Sequence, residues 1–305
     1  MLIYGIPAFR LKKSIIEEQV DELRQMRVNI ETGVEVGKDI SLSELREKGY
    51  KAFFIAIGCQ GSRKLNIPGE ESYGVRSSLD FLKEASSGER ISIKGDVVIL
   101  GGGDVAVDTA RTAVRHAQGQ KVIMVFPEQR NEMTAHEVEI RKALSEGVVL
   151  QPGWGIEEIS GENGEACKVI CKRCISIFDS GGNFNPRYNS NDLLELPCSH
   201  VLTAVGENVV WGDLLENSNI KLGRRQTVIA DFDTCKTGQE DIFAGGDVQS
   251  GPSSVEEAID AGKRGAVSIH RYLHPEVFSE EDTDDDWRNP KGGKKKSLIS
   301  RLFGI

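Results

Sequence analysis

The sequence predicts an α/β fold built on a parallel sheet, and three observations carry that expectation. Residues 97–100 are four apolar β-formers that run into a glycine turn, Gly101, Gly102 and Gly103. A helix follows, with Ala106, Ala110, Ala113 and Ala117 recurring at i, i+4, i+7 and i+11 along one face. A second apolar strand, 121–126, comes after that crossover, as a βαβ unit requires.

The other elements follow in order. Residues 14–26 place apolar side chains at 15, 16, 20, 23 and 26 and predict an amphipathic helix. The stretch 28–36 is β-rich without clean alternation. Ser41 and Glu44 have the spacing of a capping box and open a short helix to Lys48. The run 52–58, A-F-F-I-A-I-G, is apolar throughout and suits a buried parallel strand. After a Pro68-Gly69 turn come a helix over 77–85 and a polar link over 86–95. A helix over 136–146 and a strand over 148–151 complete a nucleotide unit near 96–150. Residues 155–200 read as a β-meander with polar turns at 161–164 and 180–185. The run 201–206, V-L-T-A-V-G, echoes the earlier strand end, so that Gly206 and Gly58 close matching strands. A short strand over 227–232, a strand into the Gly-Gly-Asp turn of 241–247, and a long helix over 253–272 end the regular part.

Bulk properties bound the function. A chain of 305 residues has room for two domains. Its 39% apolar and 28% charged content is that of ordinary globular proteins. A formal net charge of −9 argues against nucleic acid as a partner, because phosphates demand a cationic surface. No apolar run approaches the roughly 20 residues of a membrane span, and the N-terminus lacks the build of a signal peptide. Six unevenly spaced cysteines describe no disulfide framework, so a reducing cytoplasm is the expected location. From 276 the chain turns acidic (280–286), then basic (291–296), which predicts a disordered tail. Leu298, Ile299, Leu302 and Phe303 share one helical face at its end.

The glycine turn carries the chemistry. In Gly-x-Gly-x-x-Ala, Gly101 allows the tight turn, Gly103 lets the backbone approach a pyrophosphate, and Ala106 keeps helix and sheet close. Gly102, Asp104 and Val105 complete a helix start whose N–H groups sit at a positive end. A dinucleotide site follows. Cys167, Cys171 and Cys174 have a spacing that can hold a metal or iron–sulfur cluster. On a strand, however, Cys171 and Cys174 face opposite sides, and nothing brings Cys198 to them as a fourth ligand. Buried thiols and no metal are therefore expected. His136 opens a helix and is expected at the surface. No side chain stands out as a catalytic acid or base.

Four longer motifs occur in order: Y-G-I-P-A-F-R-L (4–11), A-I-G-C-Q-G-S-R-K-L-N-I-P-G (56–69), G-G-G-D-V-A-V-D-T-A-R-T-A (101–113) and I-F-A-G-G-D-V (242–248). On these the chain resembles, over about 1–275, the two-dinucleotide flavoproteins, and among them the glutamate synthase small subunit and its relatives. The resemblance implies a Rossmann-like NAD(P)-binding domain, 96–205, inserted into a partial FAD-binding three-layer domain of 1–95 and 206–275, with the charged tail at 276–305. It implies hydride transfer between NAD(P)H and FAD, with electrons passed to an iron–sulfur or flavin-bearing partner subunit. It makes Asp247 the carboxylate that hydrogen-bonds FAD, and counts Gly58, Gly206 and Gly246 among the cofactor-binding positions. It also turns the helix start at Ser253 and Ser254 toward the flavin.

Family members begin with an FAD-binding βαβ unit and a glycine turn of its own, and this sequence starts downstream of both. That half is expected on another chain or lost by truncation, with weak flavin binding by the chain alone. A non-catalytic nucleotide-binding or assembly subunit is the alternative. A dithiol reductase of the thioredoxin-reductase type is excluded, because 76–96 holds no cysteine. NADPH-using relatives carry paired arginines after the second strand, where this chain has Pro127 and Glu128, leaving Arg130. A carboxylate there accepts from free ribose hydroxyls and repels a 2′-phosphate, so NAD(H) is expected over NADP(H).

Overall fold

The computed structural model describes residues 1–88, 91–223 and 225–277. The expected disordered tail and its apolar end, from 278 on, lie outside the described residues. In chain order the elements are α1 (Lys13–Gln25), α2 (Leu42–Glu47), β1 (Phe53–Ile55), β2 (Gly61–Ser62), β3 (Val75–Ser77), α3 (Ser78–Ser86), β4 (Val97–Leu100), α4 (Asp104–His116), β5 (Val122–Phe126), α5 (Glu137–Ser145), β6 (Val149–Pro152), β7 (Trp154–Glu162), β8 (Glu165–Phe178), β9 (Phe184–Pro197), β10 (His200–Thr203), β11 (Glu207–Asn208), β12 (Ile242–Ala244), α6 (Asp247–Ser250) and α7 (Val255–Leu273).

The described residues divide into two compact units, one of 1–31 and 60–207, the other of 32–59 and 208–277. The first is organised on a five-stranded sheet in the order β3-β10-β4-β5-β6, every neighbouring pair parallel. Strand alternation gives it two apolar faces. Val97, Ile99, Val122 and Met124 face a helical layer that contributes Phe81, Ala106, Ala110 and Ile140. Val98, Leu100, Ile123 and Val125 face the antiparallel meander β7-β8-β9 through Trp154, Ile159, Val169 and Leu196. The i, i+4, i+7 alanines of α4 are fully buried, so the helix lies close on the sheet.

Residues 1–31 and 60–95, expected together with 32–59 and 206–275, group instead with the sheet unit. For 60–95 the reason is β3, whose residues 75–77 pair with Val201–Thr203 of β10. Residues 227–232 form no strand; Val228 and Ala230 each make one isolated bridge.

In the second unit β1 pairs in parallel with β12, Phe53 to Ile242 through Ile55 to Ala244, joining residues nearly 190 positions apart. Leu42, Ile55, Leu214, Ile242 and Val248 share its core. The expected capping box is present, with Ser41 and Glu44 bonded reciprocally at the start of α2. Gly265 of α7 packs on the Phe54 ring so closely that an added Cβ would lie 2.1 Å from it.

Candidate functional site

The glycine turn sits at the C-terminal end of β4, and each glycine has a different reason to be there. Gly101 has φ +138°, and a Cβ on it would fall 2.3 Å from the Ala204 carbonyl oxygen. Only glycine fits. A Cβ on Gly102 would press on the Phe126 ring at 3.0 Å. Gly103 is different: its backbone is extended, and a Cβ would meet only Thr134 Oγ1 at 3.6 Å. The fold therefore does not demand glycine at 103. What glycine leaves there is open space directly over the start of α4.

That helix start has no side-chain cap, as is also true of α1, α5 and α6, whereas the N-cap serines of α2, α3 and α7 each accept a backbone N–H. The N–H groups of Gly103, Asp104, Val105 and Ala106 lack the four-residue-earlier acceptors of a helix interior. Unsatisfied donors, the positive helix end and a bare backbone fit a pyrophosphate.

Two side chains frame this turn in ways that the motif does not announce. Asp104 accepts the His136 backbone N–H at 3.0 Å and meets His136 Nδ1 at 2.7 Å, which ties the turn to the start of α5. The His136 ring itself is exposed, as expected. Farther along α4, Asp108 is buried and takes Arg10 Nη1 at 2.9 Å, while its other oxygen has no partner among the described residues. Burial pushes the Asp108 carboxyl up to about 6 against the opposing pull of Arg10. Phe9 lies beneath the guanidiniums of Arg111 and Arg115, each 4.2 Å from its ring centre. The motif at 4–11 is thus a strap across the nucleotide helix.

At the end of β5, Glu128 is half-buried and its Oε2 is enclosed without a hydrogen-bond partner among the described residues. Arg130, two residues on, gives its Nη2 to both carboxylate oxygens of Glu137, at 3.0 and 2.9 Å. Gly206, also in this unit, accepts the Arg63 backbone N–H at 3.0 Å at the end of the β10 segment.

The remaining candidates come together in the second unit. Gly246, at φ +75°, leads into α6, and Asp247 is that helix's first residue. Burial raises the Asp247 carboxyl, and the Ser253 backbone N–H donated to it opposes the rise. Cys59, next to Gly58, donates its thiol to the Asp247 carbonyl at 3.3 Å. Gly58 has φ +65° and open space where a Cβ would stand. A hydrogen-bonding carboxylate beside two bare glycines fits a polar cofactor edge. Ser254, however, forms a capping box with Glu257, which uses N-terminal donors of α7 internally.

Contrary to expectation Cys198 is brought to this group, its backbone N–H donating to the Cys167 carbonyl at 3.0 Å. Cys171 and Cys174 are both buried, with Cys198 among the groups acting on the first and Glu128 among those acting on the second. No group of three metal-binding side chains occurs among the described residues, and no helix among them is long and apolar enough to cross a membrane.

A family model described as pyridine nucleotide-disulphide oxidoreductase matches residues 2–262. The NADP(+)-dependent formate dehydrogenase subunit beta of Moorella thermoacetica is 33% identical over 298 residues, which cover 96% of this chain and 42% of that protein. The glutamate synthase (NADPH) small chain of Azospirillum brasilense is 30% identical over 285 residues, 89% of this chain and 59% of that protein. The chain spans about half the length of these relatives. Among solved structures, FprA of Mycobacterium tuberculosis in complex with NADPH has a TM-score of 0.72 at 18% identity. It covers 98% of this chain and 80% of its own, a likeness of fold.

Proposed function

The chain belongs to the pyridine nucleotide-disulphide oxidoreductase family, and from that premise we propose that it moves hydride between a nicotinamide dinucleotide and FAD, passing electrons on to an iron–sulfur partner subunit. The single observation that carries this is the uncapped start of α4 over Gly103. The flavin, when bound, accepts the hydride and releases electrons. The chain's own residues bind and orient. Gly101 fixes the turn, the first N–H groups of α4 hold the pyrophosphate, and Asp247 hydrogen-bonds the flavin cofactor. The domain reading follows, with the β3–β10 sheet unit as the NAD(P) domain and the β1–β12 unit as the partial FAD domain. Calorimetric titration of NADH and NADPH into the full chain, followed by anaerobic nucleotide addition to FAD-loaded chain, tests it. Binding with bleaching of the flavin's visible absorbance is the expected result. A chain that binds neither nucleotide ends the reading.

Within it, NAD(H) is the preferred nucleotide. Glu128 holds an unpartnered carboxylate oxygen at the strand end, whereas Arg130 is engaged by Glu137. The relatives' names carry NADPH and NADP(+), so competition between the two nucleotides decides. A location in a reducing cytoplasm accords with six cysteines that form no disulfide.

A second reading, a non-catalytic nucleotide-binding or assembly subunit, draws on the capping box that occupies the start of α7. Nucleotide binding without flavin reduction would favour it.

A further inference from the structure

The six cysteines play no part in the dinucleotide chemistry, but two of them are juxtaposed. Lys168 pairs with Pro197 and Val169 with Leu196 across β8 and β9, and the next residues beyond the end of that ladder are Cys167 and Cys198. The Cys198 backbone N–H donates to the Cys167 carbonyl at 3.0 Å and holds the rung closed. Residues directly opposite in an antiparallel pair point to the same face. Facing residues of an antiparallel pair have Cα atoms about 4.5–5.5 Å apart, within the range that a disulfide spans. Both residues line a cleft of about 490 Å³ together with Asp96, Glu162, Glu165 and Ser199. Cys167 is only half-buried there and Cys198 is buried. The Cys167 thiol is turned to the Ser160 carbonyl, to which it donates at 3.3 Å, so that a side-chain rotation separates the dithiol from the disulfide.

We propose that Cys167 and Cys198 are a redox modification site, a reversible cross-strand dithiol that a small uncharged hydroperoxide oxidises. The three carboxylates around the cleft set the reagent class, because they oppose entry of anionic thiols and disulfides. In the first step the Cys167 sulfur attacks a peroxide oxygen. The O–O bond breaks, an alcohol or water leaves with the thiol proton, and Cys167 becomes a sulfenic acid. In the second, the Cys198 sulfur attacks the Cys167 sulfur. The S–O bond breaks, water leaves with the Cys198 proton, and the S–S bond forms. Two thiols have supplied the two electrons that reduced the peroxide. A dithiol reductant reverses the change.

The cleft lies at the end of the sheet where β4 and β10 begin. Asp96 accepts the Ser199 backbone N–H at 3.0 Å there, whereas Gly101 and Ala204 mark the other end. The site is therefore independent of the nucleotide reading.

The test treats the full 305-residue chain with tert-butyl hydroperoxide, alkylates it in denaturant, and maps its peptides with and without reductant. Six alkylatable thiols should fall to four, with one crosslinked peptide joining Cys167 to Cys198 and full recovery in dithiothreitol. In Cys198→Ser, Cys167 should instead be trapped by dimedone as the sulfenic acid. Should that variant not fold, one equivalent of phenylarsine oxide on the unmodified chain should protect Cys167 and Cys198 alone from alkylation. Crosslinks through other cysteines, over-oxidation of Cys167 beside a still-reducible Cys198, or arsenical protection of a different pair each overturn the assignment.

Discussion

Arg10 and Asp108 stand 98 residues apart in the sequence, yet their side chains meet at 2.9 Å on the outer face of the nucleotide helix. The guanidinium is partly exposed and the carboxylate is almost wholly buried. The acid is paired directly with Arg10 in surroundings that favour its neutral form, and burial wins, leaving the carboxyl near 6.

A folded-state value above the unfolded one means that the native chain binds the extra proton. The Asp108 contribution to stability is then full below about pH 4, falls between about 4 and 6, and stays low above that. Asp108→Asn, which stays neutral, should therefore gain stability relative to the parent as pH rises from 4 to 7. Arg10→Ala should cost on the order of 1–3 kcal/mol, more at pH 7 than at pH 4. Thermal melts at both pH values check this; a pH-independent difference for both variants refutes it.

The three glycines of the turn should separate into structural and functional positions. Gly101→Ala forces a Cβ onto the Ala204 carbonyl and should destabilise the chain by about 1–3 kcal/mol or more. Gly103→Ala meets no steric obstacle and should cost only about 0.5–1 kcal/mol, the difference between glycine and alanine at an N-cap, while weakening nucleotide binding about tenfold or more, or about 1.4 kcal/mol. Melting temperature and calorimetric affinity, measured on both variants, read the two effects apart.

Glu128→Arg should improve NADPH binding relative to NADH by about tenfold, or about 1.4 kcal/mol. Glu137→Gln, which releases Arg130 from its ion pair, should shift the preference in the same direction. If the parent chain already binds NADPH more tightly than NADH, the carboxylate at 128 does not select the nucleotide.

Glu146 should make an acid-labile tie between α4 and the end of α5. Hydrogen bonds from Arg115 and then Arg111, against a burial cost, hold its carboxyl down at about 2. Its stabilisation is present above the ordinary glutamate value and lost as pH falls toward 2. Glu146→Gln should lower the melting temperature at pH 7 and converge with the parent at acid pH. Parallel curves across that range would falsify the assignment.

What was legible in the sequence was local. The 97–113 segment announces strand, turn and helix because each rests on neighbours within a dozen residues, and the Ser41–Glu44 box needs only four. The strand partners were not legible. Residues 75–77 are three positions long, and what makes them a strand is β10, more than a hundred residues downstream. Conversely, 227–232 has strand composition, but Val228 and Ala230 find single partners at Leu222 and Thr237 rather than a continuous neighbour. In the site, the glycines were readable, whereas the Ser254–Glu257 box at the start of α7 was not read. The Asp104–His136 tie and the strap of Phe9 and Arg10 were not, since both join side chains that only the tertiary fold brings together. The 4–11 motif was visible as a motif, without its task.

The order of the sheet also sets a timetable. β10 lies between β3 and β4, and the Ala204 N–H bonds to the Leu100 carbonyl while its own carbonyl faces Gly101. A ribosome that has just made the glycine turn must add about a hundred more residues, the whole meander among them, before the strand that buttresses the turn exists. During that interval β3 and β4 lack the neighbour that joins them. The nucleotide pocket is therefore among the last parts of its unit to close, and a chain stalled before residue 200 would expose the strand edges that chaperones recognise.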